Sequence, residues 1–589
     1  MDGKNSLVQT IETFILGIHL ILTSSILSGG VIILFIKRLE FWPNVLATIF
    51  TSVVIYKVFY SKIFSKKTKI SGKLVGYAML TLLVLLGITY MRVNYKMFNC
   101  SADLGWHIYY TFKIRQNYDL TEYSSILLPF QLSTFNYPGI YFFLNLLVPF
   151  NFSLDIIPSI NFLFNLVNFV FYSLIGFTVA LITVYIIQDI FAKQSWWVFF
   201  ATYIIYLLPD IPSNYILHGN LSDLVGFFYL YSSIYFIIVL LNTSIINLVK
   251  FTVISTLSSY FLHPYATLYF LIIDLFIFIY LLIKFHTQFI KTLFHDDLLL
   301  YSSVIIFEII TVHPLSPLNV SKMFSMNNWV QYVLLTPGPV HFSYLQFTKL
   351  RLLFDLFLSL SIILLFALLP FSKQIYRIKT FKVLILLYIP YYILNLLPIV
   401  GIQIEPYRFV WRSFDFLPLF TLMTIFFIFQ LINKRKIISL FFLILVVIFT
   451  FAFLTYTKAI YTPNYASLNT CGSNPQVIYN ITQTLRFLVN FSEYTIVIFA
   501  SHVPYCTYFE LLNLHNPAIK VYPLSSSAIY ILRGDIQNNL KELYNKYINC
   551  QLFNNTIYIY NNDFDCSKCY NCTIYTNFGL KIVVSGKTW

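Results

Sequence analysis

Long apolar runs constrain the fold of this chain more than any other feature of its sequence. A helix needs about 20 mostly apolar residues to cross the hydrocarbon core of a bilayer, and such runs recur along most of the 589 residues. Hydrophobic residues make up 58% of the chain and charged residues only 10%, which is typical of a protein that is solvated by lipid. The runs predict thirteen transmembrane helices, over residues 13–36, 41–61, 74–92, 158–187, 195–209, 223–241, 246–262, 264–284, 298–312, 353–371, 383–401, 414–433 and 437–456.

Lysine and arginine residues orient these helices. With a cytoplasmic N-terminus, the basic loops between the helices lie in the cytoplasm, as the positive-inside rule requires, and Lys37 and Arg38 are the exception. The formal charge of +15 is therefore a topology signal and argues against a nucleic-acid partner. Because the number of helices is odd, the tail from about residue 457 lies on the outer face, together with the loops 93–157 and 313–352. We expect a multi-pass protein of the cell membrane.

The tail has a different pattern from the rest of the chain. Its strand-like runs are YTIVIFAS, IKVYPL, AIYILRG, TIYIYN and LKIVVSG, and its runs with helical spacing are NITQTLRFLVNF and NLKELYNKYIN. This alternation predicts a small α/β domain. We therefore expect an all-α polytopic membrane protein with three parts: residues 1–73 with two N-terminal helices and a basic cytoplasmic loop, a transmembrane core over 74–456, and an extracytoplasmic α/β domain over 457–589.

Six of the seven cysteines lie in this tail, at Cys471, Cys506, Cys550, Cys566, Cys569 and Cys572. An even number of cysteines in an extracytoplasmic domain favours disulfides, whose pairing the sequence does not define. The segment CSKCYNC resembles half of a zinc knuckle, but no histidine or second cysteine pair completes it at metal spacing.

An aspartate and a histidine open the outer loop that follows the third predicted helix, in the segment CSADLGWHIYYTFKIRQNYDL. The i,i+4 spacing of Asp103 and His107 places a carboxylate and an imidazole on one face of a helix. A carboxylate at the membrane edge can take a proton from an acceptor that meets a lipid-borne donor there. The alternative is an interfacial loop whose polar residues only contact headgroups. The loop's length of about 65 residues favours catalysis by Asp103, with His107 as an orienter or a phosphate contact, because loops this long are usually functional.

The order of these motifs resembles a known superfamily. A transmembrane helix, an outer loop that opens with ADLGWH and a later NYPGIY segment are similar to the GT-C glycosyltransferases, and within them to the archaeal and bacterial group labelled "6-pyruvoyl-tetrahydropterin synthase related". The resemblance covers roughly residues 74–433. It implies a membrane enzyme that passes a sugar from a polyprenyl-phosphate carrier to a glycan, lipid or protein acceptor, with Asp103 as the base and Tyr137 near the cavity. Two helices precede the usual first one, and the absence of a WWD-type motif argues against transfer of a whole oligosaccharide to asparagine.

The segment EPYRFVWRSFDF, residues 405–416, holds a second candidate site. Arg408 and Arg412 have i,i+4 spacing and could both bind one phosphate. The alternative is a pair of snorkelling anchors, but basic residues are sparse in short outer loops, which favours phosphate binding. Asp415 would then pair with these arginines. A divalent metal could bind at Asp103, but the sequence offers no convincing second acidic ligand, so no metal site is predicted.

Ionisable residues inside the predicted helices suggest a second class of function, which is transport. Asp274 and Glu308 lie on successive helices and could form a proton relay, as in a secondary transporter or flippase for a lipid-linked or anionic substrate. A satisfied packing contact is the simpler interpretation of both residues. A membrane scaffold whose tail binds a partner is a third class of function.

Two histidines and an aspartate lie near the outer ends of helices, in the segments HGNLSD and FLHPY. His218 and His263 could line the same outward cavity as Asp103, and Asp223 is a further polar residue there. Walker A, Rossmann, HExxH and kinase motifs are absent from the sequence, which excludes ATP-driven transport and zinc proteolysis.

Overall fold

A computed structural model describes most of the first half of the chain and shorter stretches of the second half. The described residues are 5–60, 72–93, 102–116, 138–187, 195–208, 221–241, 245–263 and 269–277, with short stretches between 386 and 422 and between 475 and 585. This described part is mostly helical, at 88%. Four helical segments in it are long and apolar enough to cross a membrane: Val8–Ile33, Phe41–Tyr60, Leu154–Ile186 and Leu221–Leu240. All four coincide with predicted transmembrane helices, whereas the count of thirteen stays a prediction.

The first half of the chain contains nine helices among its described residues. They are α1 Asn5–Ile36, α2 Phe41–Ile55, α3 Gly72–Val93, α4 Ala102–Gln116, α5 Pro138–Leu147, α6 Ile157–Ile187, α7 Ser195–Leu207, α8 Leu221–Leu240 and α9 Ile245–Leu262. A π-helical turn over Tyr56–Tyr60 continues α2, and a 3-10 turn over Leu154–Ile156 leads into α6. Later in the chain are α10 Ile389–Leu396, α11 Pro475–Val489 and α12 Leu511–His515.

Helix α8 is at the centre of the bundle. It is mostly apolar around its whole circumference, which is typical of a helix without a solvent face, and 18 of its 20 residues are buried. It packs against α1, α4, α6 and α9. The span Phe41–Tyr60 is the opposite case, with only five of its 20 residues buried. Its exposed Trp42, Leu46 and Phe50 form an apolar surface suited to lipid.

Helix α4 and the turn between α1 and α2 meet at one end of the bundle. The backbone N–H of Leu39, in that turn, donates to the Ile114 carbonyl of α4 over 2.7 Å. Arg115 of α4 donates to the Asn145 side-chain oxygen of α5 over 2.6 Å and also to the Val148 carbonyl. Arg115 thereby satisfies carbonyl groups that the end of α5 leaves free. We name this the α4 end of the bundle; the sequence assigns both segments to the outer face.

The last part of the chain contains a five-stranded mixed sheet. Its strands are β1 Thr495–Phe499, β2 Val521–Leu524, β3 Thr556–Tyr560, β4 Cys572–Asn577 and β5 Leu580–Ser585, in the order β2-β1-β3-β5-β4. Strand β1 is parallel to β2 and β3, whereas β5 is antiparallel to β3 and β4. Four of the predicted strand runs agree with β1, β2, β3 and β5, and α11 covers most of the predicted helix NITQTLRFLVNF. The sequence analysis missed β4; AIYILRG and NLKELYNKYIN lie outside the described residues.

Elements near this sheet pack against the α4 end. Helix α12 packs on α4, and α11 packs on α6. The Tyr508 hydroxyl donates to the Asn161 side-chain oxygen of α6 over 2.5 Å, and Arg486 of α11 forms an ion pair with Asp155. The assignment of 457–589 as an extracytoplasmic domain stays a prediction. The predicted disulfides do so as well, since Cys572 opens β4 and the other five tail cysteines lie outside the described residues.

Candidate functional site

Helix α4 carries the predicted acid–imidazole pair. Asp103 lies in its first turn and His107 one turn later, so the helical spacing expected from the sequence is confirmed. Leu104, Ile108 and Phe112 repeat every four residues and are buried, and this stripe explains how α4 packs into the bundle. The Asp103 side chain lies outside the described part of the structure.

His107 is enclosed by the bundle, with 5% of its surface exposed. Its ring lies 5.8 Å from that of Tyr141 on α5. Burial lowers the pKa of His107 to about 4, against the opposing effect of the Asp223 carboxylate. The imidazole is therefore uncharged at neutral pH. Its Nδ1 atom is buried and has no hydrogen-bond partner among the described residues, and a buried polar atom of this kind calls for an explanation.

Asp223 and His263 form a buried ion pair between α8 and α9. The His263 Nε2 atom contacts the Asp223 carboxylate, and the two side chains are 0% and 2% exposed, respectively. Asp223 lies in the first turn of α8, whereas His263 directly follows α9. The positive end of the α8 dipole stabilises the carboxylate, and the negative end of the α9 dipole stabilises a protonated imidazole. Both helix ends therefore favour the ionised pair.

Two glycines permit the close packing around this pair. Gly226 lies one turn after Asp223, and a Cβ atom at this position would stand 2.5 Å from the His263 Cβ. Gly139, in the first turn of α5, would place a Cβ atom 2.9 Å from the Phe261 carbonyl oxygen. The end of α9 can approach α8 and α5 this closely only because both positions lack a side chain.

The structure brings three of the polar residues together. Asp223 pairs with His263 and acts electrostatically on His107, whose helix α4 packs on α8. Asp103 lies in the first turn of the same helix as His107. The sequence analysis named Asp223 only as a further polar residue near His218 and His263. Other sequence-predicted residues lie outside the described part: Tyr137, His218, Glu308, Arg408 and Arg412.

Asp415, from the segment that holds the two arginines, is buried against α8. The Tyr231 hydroxyl of α8 donates to Asp415 Oδ2 over 3.1 Å and also lies 2.6 Å from the Tyr391 hydroxyl of α10. The sequence analysis expected Asp415 to pair with the arginines, whereas its described contact is with Tyr231. Asp415 follows Arg412 by three residues, so this contact holds the segment that carries the arginines against the central helix α8.

A second polar cluster lies within the spans, and the sequence analysis missed it. His19 of α1 bonds through Nδ1 to the Tyr60 hydroxyl over 2.5 Å and through Nε2 to the Ser233 hydroxyl of α8 over 2.6 Å. The Thr23 hydroxyl lies 3.1 Å from that of Tyr60 and 2.8 Å from that of Tyr229. The His19 and Tyr229 rings stack at 4.1 Å. The cluster joins α1, the end of α2 and α8 through hydrogen bonds.

Asp274 has a polar partner on the preceding helix. The Thr256 hydroxyl of α9 donates to Asp274 Oδ2 over 2.7 Å. This hydrogen bond agrees with the interpretation of Asp274 as a packing contact between helices. Asp274 Oδ1 is buried, and no described residue bonds to it. Its proposed relay partner, Glu308, is not among the described residues.

Within the described part of the chain, no group of three or more His, Cys, Asp or Glu side chains could hold a metal ion. Comparison of the chain with protein-family models, with curated proteins and with solved structures found no match. The likeness to the GT-C superfamily therefore stands on the sequence motifs alone.

Proposed function

We propose that this chain is an integral membrane glycosyltransferase of the GT-C type, which transfers a sugar from a polyprenyl-phosphate carrier to an acceptor at the outer face. The observation that carries the proposal is the meeting of His107 on α4, Asp223 on α8 and His263 directly after α9 in one part of the bundle. Asp103 lies in the first turn of α4. Ionisable side chains buried together in a membrane protein usually serve function.

The chemistry of this proposal is a single displacement. Asp103 takes the proton from an acceptor hydroxyl, and the hydroxyl oxygen forms a bond to the anomeric carbon of the sugar. The bond between that carbon and the carrier phosphate breaks at the same time, so the configuration inverts. Arg408, Arg412 or both stabilise the negative charge that develops on the phosphate.

The anchoring of Asp415 supports the placement of these arginines. Tyr231, its partner, follows Asp223 by two turns of α8, which is about 12 Å along the helix axis. The segment that carries the arginines is thus attached to the same helix as Asp223. A distance of this size fits a compact substrate site.

The finer architecture belongs to the same proposal. We place the N-terminus in the cytoplasm, with thirteen transmembrane helices and residues 457–589 as a disulfide-bonded domain on the outer face. The contacts of Arg486 with Asp155 and of Tyr508 with Asn161 support a position of this domain beside the α4 end. There it would cap the site or hold the acceptor.

The direct test is Asp103→Asn in the full chain reconstituted in lipid nanodiscs. A panel of polyprenyl-phosphate sugars serves as donors, and membrane glycolipid extracts serve as acceptors. We expect sugar transfer to fall by about 100-fold or more, because a general base contributes on that order. The control is Glu493→Gln, which replaces a carboxylate by an amide at an exposed side chain. Full activity in Asp103→Asn would refute the mechanism.

A secondary transporter or flippase is the second candidate, and Asp274 favours it. A carboxylate oxygen that is buried in a helical segment, with no described partner, is the kind of group that holds a transported proton. Loss of substrate flux in Asp274→Asn, with no sugar transfer by the unmodified chain, would select this candidate.

A further inference from the structure

We infer that the cluster of His107, Asp223 and His263, here named the acid–imidazole site, binds a neutral hydroxyl group of the acceptor and not the carrier phosphate. This inference rests on the proposed function, because it states which of the two substrates the site holds. It replaces the phosphate contact that the sequence allowed for His107.

The charge of the site argues against a phosphate. Asp223 and His263 carry opposite charges when both are ionised, and their sum is then zero. His107 adds no positive charge at neutral pH, since burial keeps its imidazole neutral. Phosphate sites instead supply an excess of cationic donors.

The hydrogen-bonding capacity of the site suits a hydroxyl. A neutral imidazole has one nitrogen that donates and one that accepts, and a hydroxyl group can do both. The buried Nδ1 atom of His107 has no bonding partner in the described part of the chain, and leaving it unmatched costs free energy. A ligand hydroxyl removes that cost without bringing a charge into the bundle. The Tyr141 ring, at 5.8 Å, provides an apolar face beside it.

The packing holds the site in place before any ligand binds. Gly226 and Gly139 allow α9 to press His263 against α8. Arg115 fixes the far end of α4 through its bonds to Asn145 and Val148. A site held in this way discriminates by small differences in position.

The test measures the binding of two kinds of probe to the full chain in nanodiscs. The neutral probes are a panel of methyl glycosides of common hexoses, and the anionic probe is undecaprenyl phosphate. We expect at least one methyl glycoside to bind the unmodified chain saturably. In His107→Phe, which keeps a ring and removes both nitrogens, we expect its Kd to rise about five- to tenfold, as the loss of one hydrogen bond predicts. The Kd of undecaprenyl phosphate should stay unchanged.

Two further variants separate the site from general damage. His107→Asn should recover part of the glycoside binding, because its amide can replace Nδ1. Gly226→Ala removes no polar group but forces His263 away, and it should weaken glycoside binding to a similar extent. The controls are Gly17→Ala, where a Cβ atom meets nothing within 4 Å, and His515→Phe on an exposed position of α12. The thermal unfolding of each ligand-free variant shows whether it is folded.

The outcomes are distinct. Failure of every methyl glycoside to bind the unmodified chain overturns the inference, as does loss of undecaprenyl phosphate binding in His107→Phe. If glycoside binding depends on His107 but the chain transfers no sugar, the inference about the site is supported and the proposed function is refuted. If the chain transfers sugar and His107→Phe raises only the KM of the donor, the inference is refuted and the proposed function is supported.

Discussion

Burial and a neighbouring charge have opposite effects on the pKa of His107. Burial disfavours its protonated form, and the Asp223 carboxylate favours that form. Burial has the larger effect, so the pKa falls from the ordinary 6.5 to about 4. His107, which the sequence predicts as an orienter or a phosphate contact, is therefore uncharged at neutral pH.

A pH dependence of stability follows from this shift. Between pH 6.5 and about 4 the unfolded chain protonates His107 and the folded chain does not, so the unfolded form binds more protons. Stability from this group is complete above pH 6.5 and is lost as the pH falls towards 4. We expect a loss of about 3 kcal/mol in the free energy of unfolding over that range, measured by denaturant titration in detergent at fixed pH values.

The contribution of His107 is isolated by comparison with two variants. His107→Phe should flatten the acid limb of the stability profile, whereas His515→Phe, on an exposed position, should leave it unchanged. Equal slopes in the unmodified chain and in His107→Phe would contradict the assignment.

The residues of the site were predictable to different degrees. The spacing of Asp103 and His107 predicted one helix face, because the i,i+4 rule needs only local sequence. His263 was expected near the outer end of its span, and it directly follows α9. The pairing of His263 with Asp223 depends on the close approach at Gly226, which is a matter of packing and has no local signal.

At the scale of elements, the π-helical turn over Tyr56–Tyr60 changes what α2 contributes to the bundle. A π-turn inserts extra backbone and shifts the direction of the side chains that follow it. Tyr60 can then reach His19 and Thr23 on α1. Apolar periodicity predicted the extent of this span but not the turn, so the polar cluster between α1, α2 and α8 was missed. Arg115, which fixes the end of α5, was missed for the same reason: its partners are distant in sequence.

The polar cluster makes a prediction about stability. Tyr60→Phe removes the hydroxyl that bonds to His19 Nδ1 and leaves that nitrogen buried without its partner. We expect a loss of about 1–3 kcal/mol in the free energy of unfolding, measured by unfolding in detergent. The control is Tyr90→Phe on α3, where the side chain is 42% exposed. A Tyr60→Phe variant as stable as this control would show that the cluster contributes nothing.

At the scale of the whole molecule, the described contacts and the charge pattern are consistent with one another. The basic loops assign the α1–α2 turn, α4, the start of α8 and the end of α9 to one face, and the structure joins these segments by contacts. Helix α12 packs on α4 as well. The sequence predicts a topology because charge and helix number are properties of the whole chain, and this topology stays a prediction. Strand β4 was missed because its run is short and follows a cysteine-rich segment.

A labelling experiment checks this topology. After mild reduction of intact cells, a membrane-impermeant maleimide should label the native cysteines between Cys471 and Cys572. A cysteine that replaces Lys66, in a chain whose native cysteines are serine, should react only after the cells are permeabilised, because its loop is predicted to be cytoplasmic. Labelling of the tail cysteines only after permeabilisation would contradict the predicted orientation.

The enclosure of α8 has a consequence for how the protein is made. Synthesis proceeds from the N-terminus, so α1 and α6 enter the membrane before α8 exists, and their faces that later cover α8 first contact lipid or other proteins. The bundle can close only once residue 240 has been added, and the acid–imidazole site only after His263. A nascent chain arrested before residue 221 would hold membrane helices without a centre around which to pack.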